Sequence, residues 1–330
     1  MTFGTDKFFD FLYRWEMDGK ETLLNCPADA LTQHKEKQRE RVRSLLGLPK
    51  LAEIAAGHCA SLEKIAEEKK DGYTIEAYHG EILPNLVIPF YTVRPDVPNG
   101  KAMLYCHGHG SRGCLAALEN PSQNVCLPIE FARRGFTAFV PEMVGIGQVV
   151  KEQFPSNDPS TCYPNAVLLA MYGLTLTGVR VWEAQIMTGW IQKEFGFDNI
   201  GIYGISGGGQ CALFTAAVDD RFRAVVVAAY GNLFHDSIMA MRHCVDNYLP
   251  GTLEIGECPE IMGLIAPKPL LLTNGDSDPI FPLSGTEEAI REVSAAYQRL
   301  GAAEKFESEI FHGGHEFSLA RVFDFIQKYV

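Results

Sequence analysis

From residue 101 to the end of the chain, short runs of apolar, often β-branched, residues alternate with helical patterns, and few architectures accommodate that rhythm. The spacing predicts strands over 101–106, 136–141, 200–205, 224–229, 269–273 and 305–311. Helices are predicted over 178–195, 207–218, 285–300 and 316–330. Strands joined through helices pair in parallel, and a parallel sheet is covered on both faces. Before them, 73–79 and 86–93 alternate as half-exposed strands do, ahead of a turn at 95–100. The expectation is an α/β chain with a mainly parallel central sheet of about eight strands flanked by helices.

The first 70 residues read differently. Segments 6–18, 28–46 and 51–69 carry apolar residues three and four apart with dense charge between, which predicts helices, and Leu48-Pro49 reads as a break. The chain therefore divides into an N-terminal helical extension, 1–70, and a main domain, 71–330. Two stretches interrupt the rhythm, 142–177 and 231–265, each following a strand. Ligands of open α/β sheets bind beyond the carboxyl ends of the strands. These insertions are the expected pocket walls, with Met143, Val144, His243 and Tyr248 as candidate substrate-binding residues.

Bulk properties narrow the partners. The formal net charge of −12 disfavours phosphate backbones and anionic lipid, so neither nucleic acid nor membrane is expected. The nine cysteines are scattered, odd in number and without a Cys-x-x-Cys pair, which fits free thiols in a reducing compartment better than a disulfide framework. The first residues show no secretory pattern, and a cytoplasmic location is expected. Self-association into a homo-oligomer is left open.

The chemistry concentrates at Gly204-Ile205-Ser206-Gly207-Gly208. A Gly-x-Ser-x-Gly pentad alone is weak. Here a buried strand runs into it and an apolar helix runs out, so the serine falls on a sharp strand-to-helix turn that leaves its hydroxyl above the sheet. A serine nucleophile needs a base, and the base needs an orienting carboxylate. Asp276 and Asp278 end the 269–273 strand region, and His312 and His315 follow the 305–311 strand. Asp278 has room to turn back over the sheet edge, whereas Asp276 is placed to cap the turn. His315 follows Gly313-Gly314 and is expected to open the final helix, while His312 sits at the strand end. Oxyanion donors are expected from the backbone N–H groups of Gly207 and of His109, the latter in the loop His107-Gly108-His109-Gly110. His107 and His109, with His312 and His315, also form a conceivable metal set, but a complete serine site requires neither metal nor cofactor.

These motifs, with Leu264-Ile-Ala-Pro-Lys-Pro, Asp278-Pro-Ile-Phe-Pro and His243-Cys244-Val-Asp-Asn-Tyr248, resemble α/β-hydrolases of the dienelactone hydrolase and acetyl xylan esterase-like branch, over roughly residues 30–330. The resemblance implies the α/β-hydrolase fold and a Ser206–Asp278–His315 triad. It also implies acyl transfer from a small-molecule carboxylic ester, as in carboxylesterases and acetyl esterases. The chain departs from the sugar deacetylases of that branch. Gly207 stands where they usually have Gln, His109 where they have Tyr, and Met143–Gln148 where they have Arg-Gly-Gln-Gly. An acetylated sugar is therefore less well supported than ester hydrolysis. The competing expectations are a prolyl-oligopeptidase-like peptidase, for which the residues before the first strand are too few to form a propeller, and a non-catalytic binding protein.

Overall fold

The computed structural model describes residues 4–110, 112–119, 126–149 and 162–330. Nine strands form one sheet: β1 Ser61–Lys69, β2 Tyr73–Leu83, β3 Leu86–Pro95, β4 Ala102–Cys106, β5 Thr137–Pro141, β6 Ile200–Ile205, β7 Ala224–Ala228, β8 Leu270–Gly275 and β9 Phe306–Phe311. Their spatial order is β1-β2-β3-β5-β4-β6-β7-β8-β9. The β1-β2-β3-β5 edge is antiparallel, and every pairing from β5 to β9 is parallel. The helices are α1 Asp6–Met17, α2 Leu31–Leu45, α3 Leu48–Ile54, α4 Gly113–Glu119, α5 Leu127–Arg133 and α6 Cys162–Met171. They continue with α7 Leu176–Lys193, α8 Gly207–Val218, α9 Thr252–Ile255, α10 Cys258–Gly263, α11 Leu283–Arg299 and α12 Val322–Tyr329. Among the described residues, no single helix is long and apolar enough to cross a membrane.

The period-two alternation of the central strands feeds two cores. Leu104, Phe139, Ile202, Val225, Val227 and Leu272 face one side, with Phe214 of α8 and Met187 of α7. Met103, Tyr105, Val140, Tyr203, Val226 and Leu271 face the other, with Phe131 of α5 and Val322, Phe325 and Ile326 of α12. Successive side chains of a strand point to opposite faces, so strands buried on both sides read as unbroken apolar runs.

Three expectations need correction. Residues 61–69 form an edge strand, β1, not the end of a helix. Its side chains are almost all exposed, so no buried face imposed period two on its sequence, and the charges read as helical. The break expected at Leu48-Pro49 does separate two helices but falls just before it, at Leu46-Gly47, and Pro49 lies in the first turn of α3, where a missing N–H costs nothing. The last helix begins at Val322 rather than 316, because 312–321 is loop that carries His315 across the sheet edge. Of the insertion predicted over 142–177, residues 150–161 lie outside the described residues.

The N-terminal segment packs on the main core. Val42 of α2 and Leu46, just past its end, are fully buried in the core that holds Phe214. His34 Nε2 meets Glu260 Oε1 at 2.8 Å, and Glu260 Oε2 accepts the Leu23 N–H at 2.7 Å, tying this segment to α10. Leu46→Ala is expected to destabilise the whole chain by about 2–4 kcal/mol in urea unfolding, with one cooperative transition. A separate early transition for the first 60 residues would contradict this packing.

At the other sheet edge, Glu76 of β2 binds three strands together. Its carboxylate accepts from Lys64 of β1 at 2.8 Å, Thr92 of β3 at 2.9 Å, Arg94 of β3 at 3.1 Å and Tyr78 at 3.0 Å. Burial alone would raise its pKa, but these donors outweigh burial and lower it to about 2. A depressed folded-state pKa contributes stability that is complete above the unfolded value and lost as pH falls through the folded one. Between pH 5 and 2, the stability of the native chain should therefore fall more steeply than that of Glu76→Gln, measured by denaturant midpoints.

Candidate active site

Strands β4, β6, β7, β8 and β9 are neighbours running in one direction, so the loops leaving their carboxyl ends share one edge. Ser206 leaves β6 with φ 55° and ψ −121° and directly precedes α8. Few side-chain-bearing residues hold a positive φ. The turn is possible because a Cβ on Gly204 would lie 2.0 Å from the Gly208 carbonyl oxygen, and one on Gly208 2.0 Å from that of Cys106. The Ser206 N–H donates to Ala228 O at 2.9 Å, fastening the turn to β7.

The two aspartates and two histidines weighed in the sequence separate into two pairs. His315 Nε2 lies 2.8 Å from Ser206 Oγ, and His315 Nδ1 lies 2.7 Å from Asp278 Oδ2. The Asp278 carboxylate is buried, and its other oxygen accepts the N–H groups of Ile280 at 2.9 Å and Phe281 at 3.0 Å. The second pair, His312 with Asp276 at 3.1 Å, stands in solvent, and Asp276 caps the turn through the Gly313 N–H. With Asp278 accepting from Nδ1, Nε2 is the nitrogen left to accept a proton from the Ser206 hydroxyl.

Gly207 is the first residue of α8, where backbone N–H groups lack an intrahelical acceptor. The 107–110 loop comes close beside it: a Cβ on Gly108 would sit 3.2 Å from Ile205 O and 3.4 Å from Ser206 Cβ. A Cβ on Gly207 would come within 2.5 Å of the His109 ring. Two of the three departures from the sugar-deacetylase pattern thus touch: the imidazole of His109 takes up the room that a side chain at 207 would need.

The His109 side chain also has partners that spacing did not reveal. Its Nε2 lies 2.8 Å from Asp246 Oδ2, and Arg180, buried on α7, donates to the same carboxylate. Burial opposes charge on Asp246, but Arg180 and then His109 outweigh it and hold the carboxyl well below its ordinary range. Burial likewise opposes a charged His109, yet Asp246 lifts its imidazole to about 9. Cys162 and Cys244 complete the group: the donor atoms of His109, Cys162, Cys244 and Asp246 all lie within 4.8 Å of one another. A charged residue, Arg180, in the apolar first half of α7 is the one local sequence signal for this cluster. The metal set suggested by sequence does not assemble, because His107 pairs with Glu142 at 3.0 Å while His312 and His315 hold the aspartates named above.

The four pocket candidates divide. His243 lies near the triad: its ring meets Phe281 edge-on at 5.3 Å, and Phe281 stacks on His315 at 5.7 Å. Burial, then the charge of His315, pushes the His243 pKa down. Tyr248 is half exposed, and its hydroxyl oxygen accepts the His243 N–H at 3.3 Å. Met143 and Val144 are buried in the core, and their backbones frame the site instead. The Met143 backbone nitrogen lies 3.2 Å from His107 Nε2, and the Val144 carbonyl accepts from Arg180 Nε at 2.8 Å. Phe281, which fixes the face of His315, was not singled out by sequence. Two surface concavities, of about 620 and 290 Å³, are lined by residues of α2 and α1 and include no member of the triad.

This sheet, with its helices and its serine turn, is the α/β-hydrolase fold, and its structural neighbours are acetyl xylan esterases and related esterases. The crystal structure of a putative acetyl xylan esterase from Bacteroides fragilis NCTC 9343 superposes with a TM-score of 0.74 at 15% identity, over 94% of this chain and 83% of that one. Acetyl xylan esterase from Paenibacillus sp. R4 superposes with a TM-score of 0.63 at 17% identity, over 87% of this chain and 95% of that one. In sequence, the chain is 25% identical over 292 residues to "Putative hydrolase YtaP" of Bacillus subtilis (strain 168), covering 85% of this chain and 93% of that protein. No protein-family model matches.

The pairing of side chains makes the histidines separable. His315→Ala should lower kcat/KM for an activated ester by about 10³-fold or more, equivalent to roughly 4 kcal/mol of barrier, whereas His312→Ala should stay within about threefold. Steady-state rates of the two variants, at matched folded fraction, decide between them.

Proposed function

We propose that the chain is a serine hydrolase that cleaves carboxylic esters through an acyl-enzyme. The observation that carries this reading is the continuous line from Asp278 through His315 to Ser206, with hydrogen bonds of 2.7 and 2.8 Å. In the proposed cycle, His315 Nε2 removes the Ser206 proton as Oγ attacks the ester carbonyl. Asp278 keeps the ring in the required tautomer and stabilises the imidazolium. The N–H groups of Gly207 and His109 receive the oxyanion, at the positive end of α8. His315 then gives its proton to the leaving alcohol, and water repeats the steps on the acyl-enzyme.

The hydrolase relative supports hydrolysis, and the esterase neighbours support ester cleavage over amide cleavage. Acetyl esters are the first substrates to test, because their small acyl group asks for the least room beside Ser206 and the His109 ring. The test is turnover of p-nitrophenyl acetate together with labelling by a fluorophosphonate probe. Native chain should hydrolyse and be labelled once, on Ser206, and Ser206→Ala should do neither. Failure of both reactions in folded native chain rejects the proposal. Release of an aminoacyl anilide without ester turnover would assign a peptidase instead.

A further inference from the structure

Beside the nucleophile lies a group of side chains that the acyl-transfer cycle does not use. We propose that His109, Cys162, Cys244 and Asp246 form a structural zinc site that cross-links the loops around Ser206. Three chain segments meet there. His109 comes from the loop after β4, Cys162 opens α6 in the first insertion, and Cys244 and Asp246 lie in the second insertion after β7.

The donor set suits zinc. One imidazole nitrogen, two sulfurs and one carboxylate oxygen are the atom types zinc takes in closed four-coordinate sites. Tetrahedral zinc, with bonds of about 2.0–2.3 Å, places neighbouring donors roughly 3.3–3.8 Å apart. Here His109 Nε2 and Asp246 Oδ2 are 2.8 Å apart, Cys162 Sγ and Asp246 Oδ2 are 3.8 Å apart, and no pair among the four exceeds 4.8 Å. Closing on one ion therefore asks for shifts of about 1 Å.

Arg180 supplies the outer shell. It donates through Nη1 to Asp246 Oδ2 and through Nη2 to Cys162 Sγ at 3.0 Å, while its Nε holds the Val144 carbonyl at 2.8 Å. The Asn247 side-chain amide donates to the other Asp246 oxygen at 2.9 Å. Such contacts orient ligands and fix which lone pair faces the ion. A divalent ion and Arg180 together balance one carboxylate and two thiolates, so the loaded group is neutral, as a buried site requires. With four protein ligands the site has no open position for substrate, which makes it a staple for long loops and for the turn that presents the His109 N–H. It also differs from a disulfide between Cys162 and Cys244, which would leave His109 outside the link.

The test uses the reduced, chelator-stripped 330-residue chain, incubated with zinc or cobalt(II) and desalted. About one zinc per chain should remain, and cobalt should give the strong thiolate-to-metal absorption of a tetrahedral site. Cys162→Ser/Cys244→Ser should retain less than about a tenth of the metal, whereas Cys59→Ser, altered at an exposed cysteine, should retain all of it. The cobalt spectrum of native chain decides the matter even if the double variant fails to fold. No metal uptake by the native reduced chain, or binding without thiolate absorption, overturns the proposal. So does a chain isolated about two daltons light, as a disulfide, that takes up no metal once reduced. Metal content is read without reference to ester turnover, so this result and the ester result stand apart.

Discussion

The turn at Ser206 is the constraint on which the other parts depend. A positive φ at a residue with a side chain costs on the order of 1–3 kcal/mol and persists only where its surroundings over-determine it. They do so here. The residue is pinned to β7 through its N–H, its carbonyl accepts from Gln210 at 3.0 Å to start α8, and glycines at 204 and 208 let three backbone segments approach where any Cβ would collide. The sheet supplies the rigidity. Ile202 and Tyr203, one on each face of β6, are both fully buried, so the strand cannot relax toward either core.

Parallel order does the remaining positioning. Across the sheet, β4, β6, β7, β8 and β9 deliver in turn His109, Ser206, the Cys244–Asp246 segment, Asp278 and His315. Each residue arrives on a separate loop, yet neighbouring strands lie only about 4.8 Å apart, so five loops from distant parts of the chain converge on one serine. Covalent order plays little part in this. Ser206 and His315 are 109 residues apart and meet because the strands that carry them are fixed in one sheet.

Much of this was legible in the chain, and the unread parts have physical causes. The central strands, α8 and the serine turn were predicted with ends nearly as observed, because residues buried on two faces must be apolar and the turn must be glycine-rich. The strand β1 was hidden because an exposed edge needs no apolar face. The start of α12 was misplaced because its boundary is set by the reach His315 needs, which helix propensity does not record. Asp278 was preferred over Asp276 for its room to turn and for the family resemblance, and His315 over His312 for its place after Gly313-Gly314, but local spacing could not show that the rejected residues pair with each other. The Arg180–Asp246–His109 contacts lay beyond any local pattern, since they join residues 66 and 137 positions apart.

Those contacts place a second histidine–carboxylate pair close to the same serine turn, and its partners differ from those of the first. Both carboxylates are fully buried. Asp278 has neutral backbone N–H partners besides His315, whereas Asp246 is shared between an imidazole and a guanidinium. His315 directs its second nitrogen at the serine hydroxyl, so its pair can accept and return a proton within the cycle. His109 presses its ring on Gly207 instead, and its carboxylate is already matched by a permanent cation. Moving a proton through that pair would disturb Arg180, Cys162 and the Val144 carbonyl together. In the proposed cycle the first pair changes state during turnover and the second stays fixed. The fixed pair holds in place the loop whose N–H group the proposed oxyanion needs, so the ring at 109 matters to the chemistry through position and not through proton transfer.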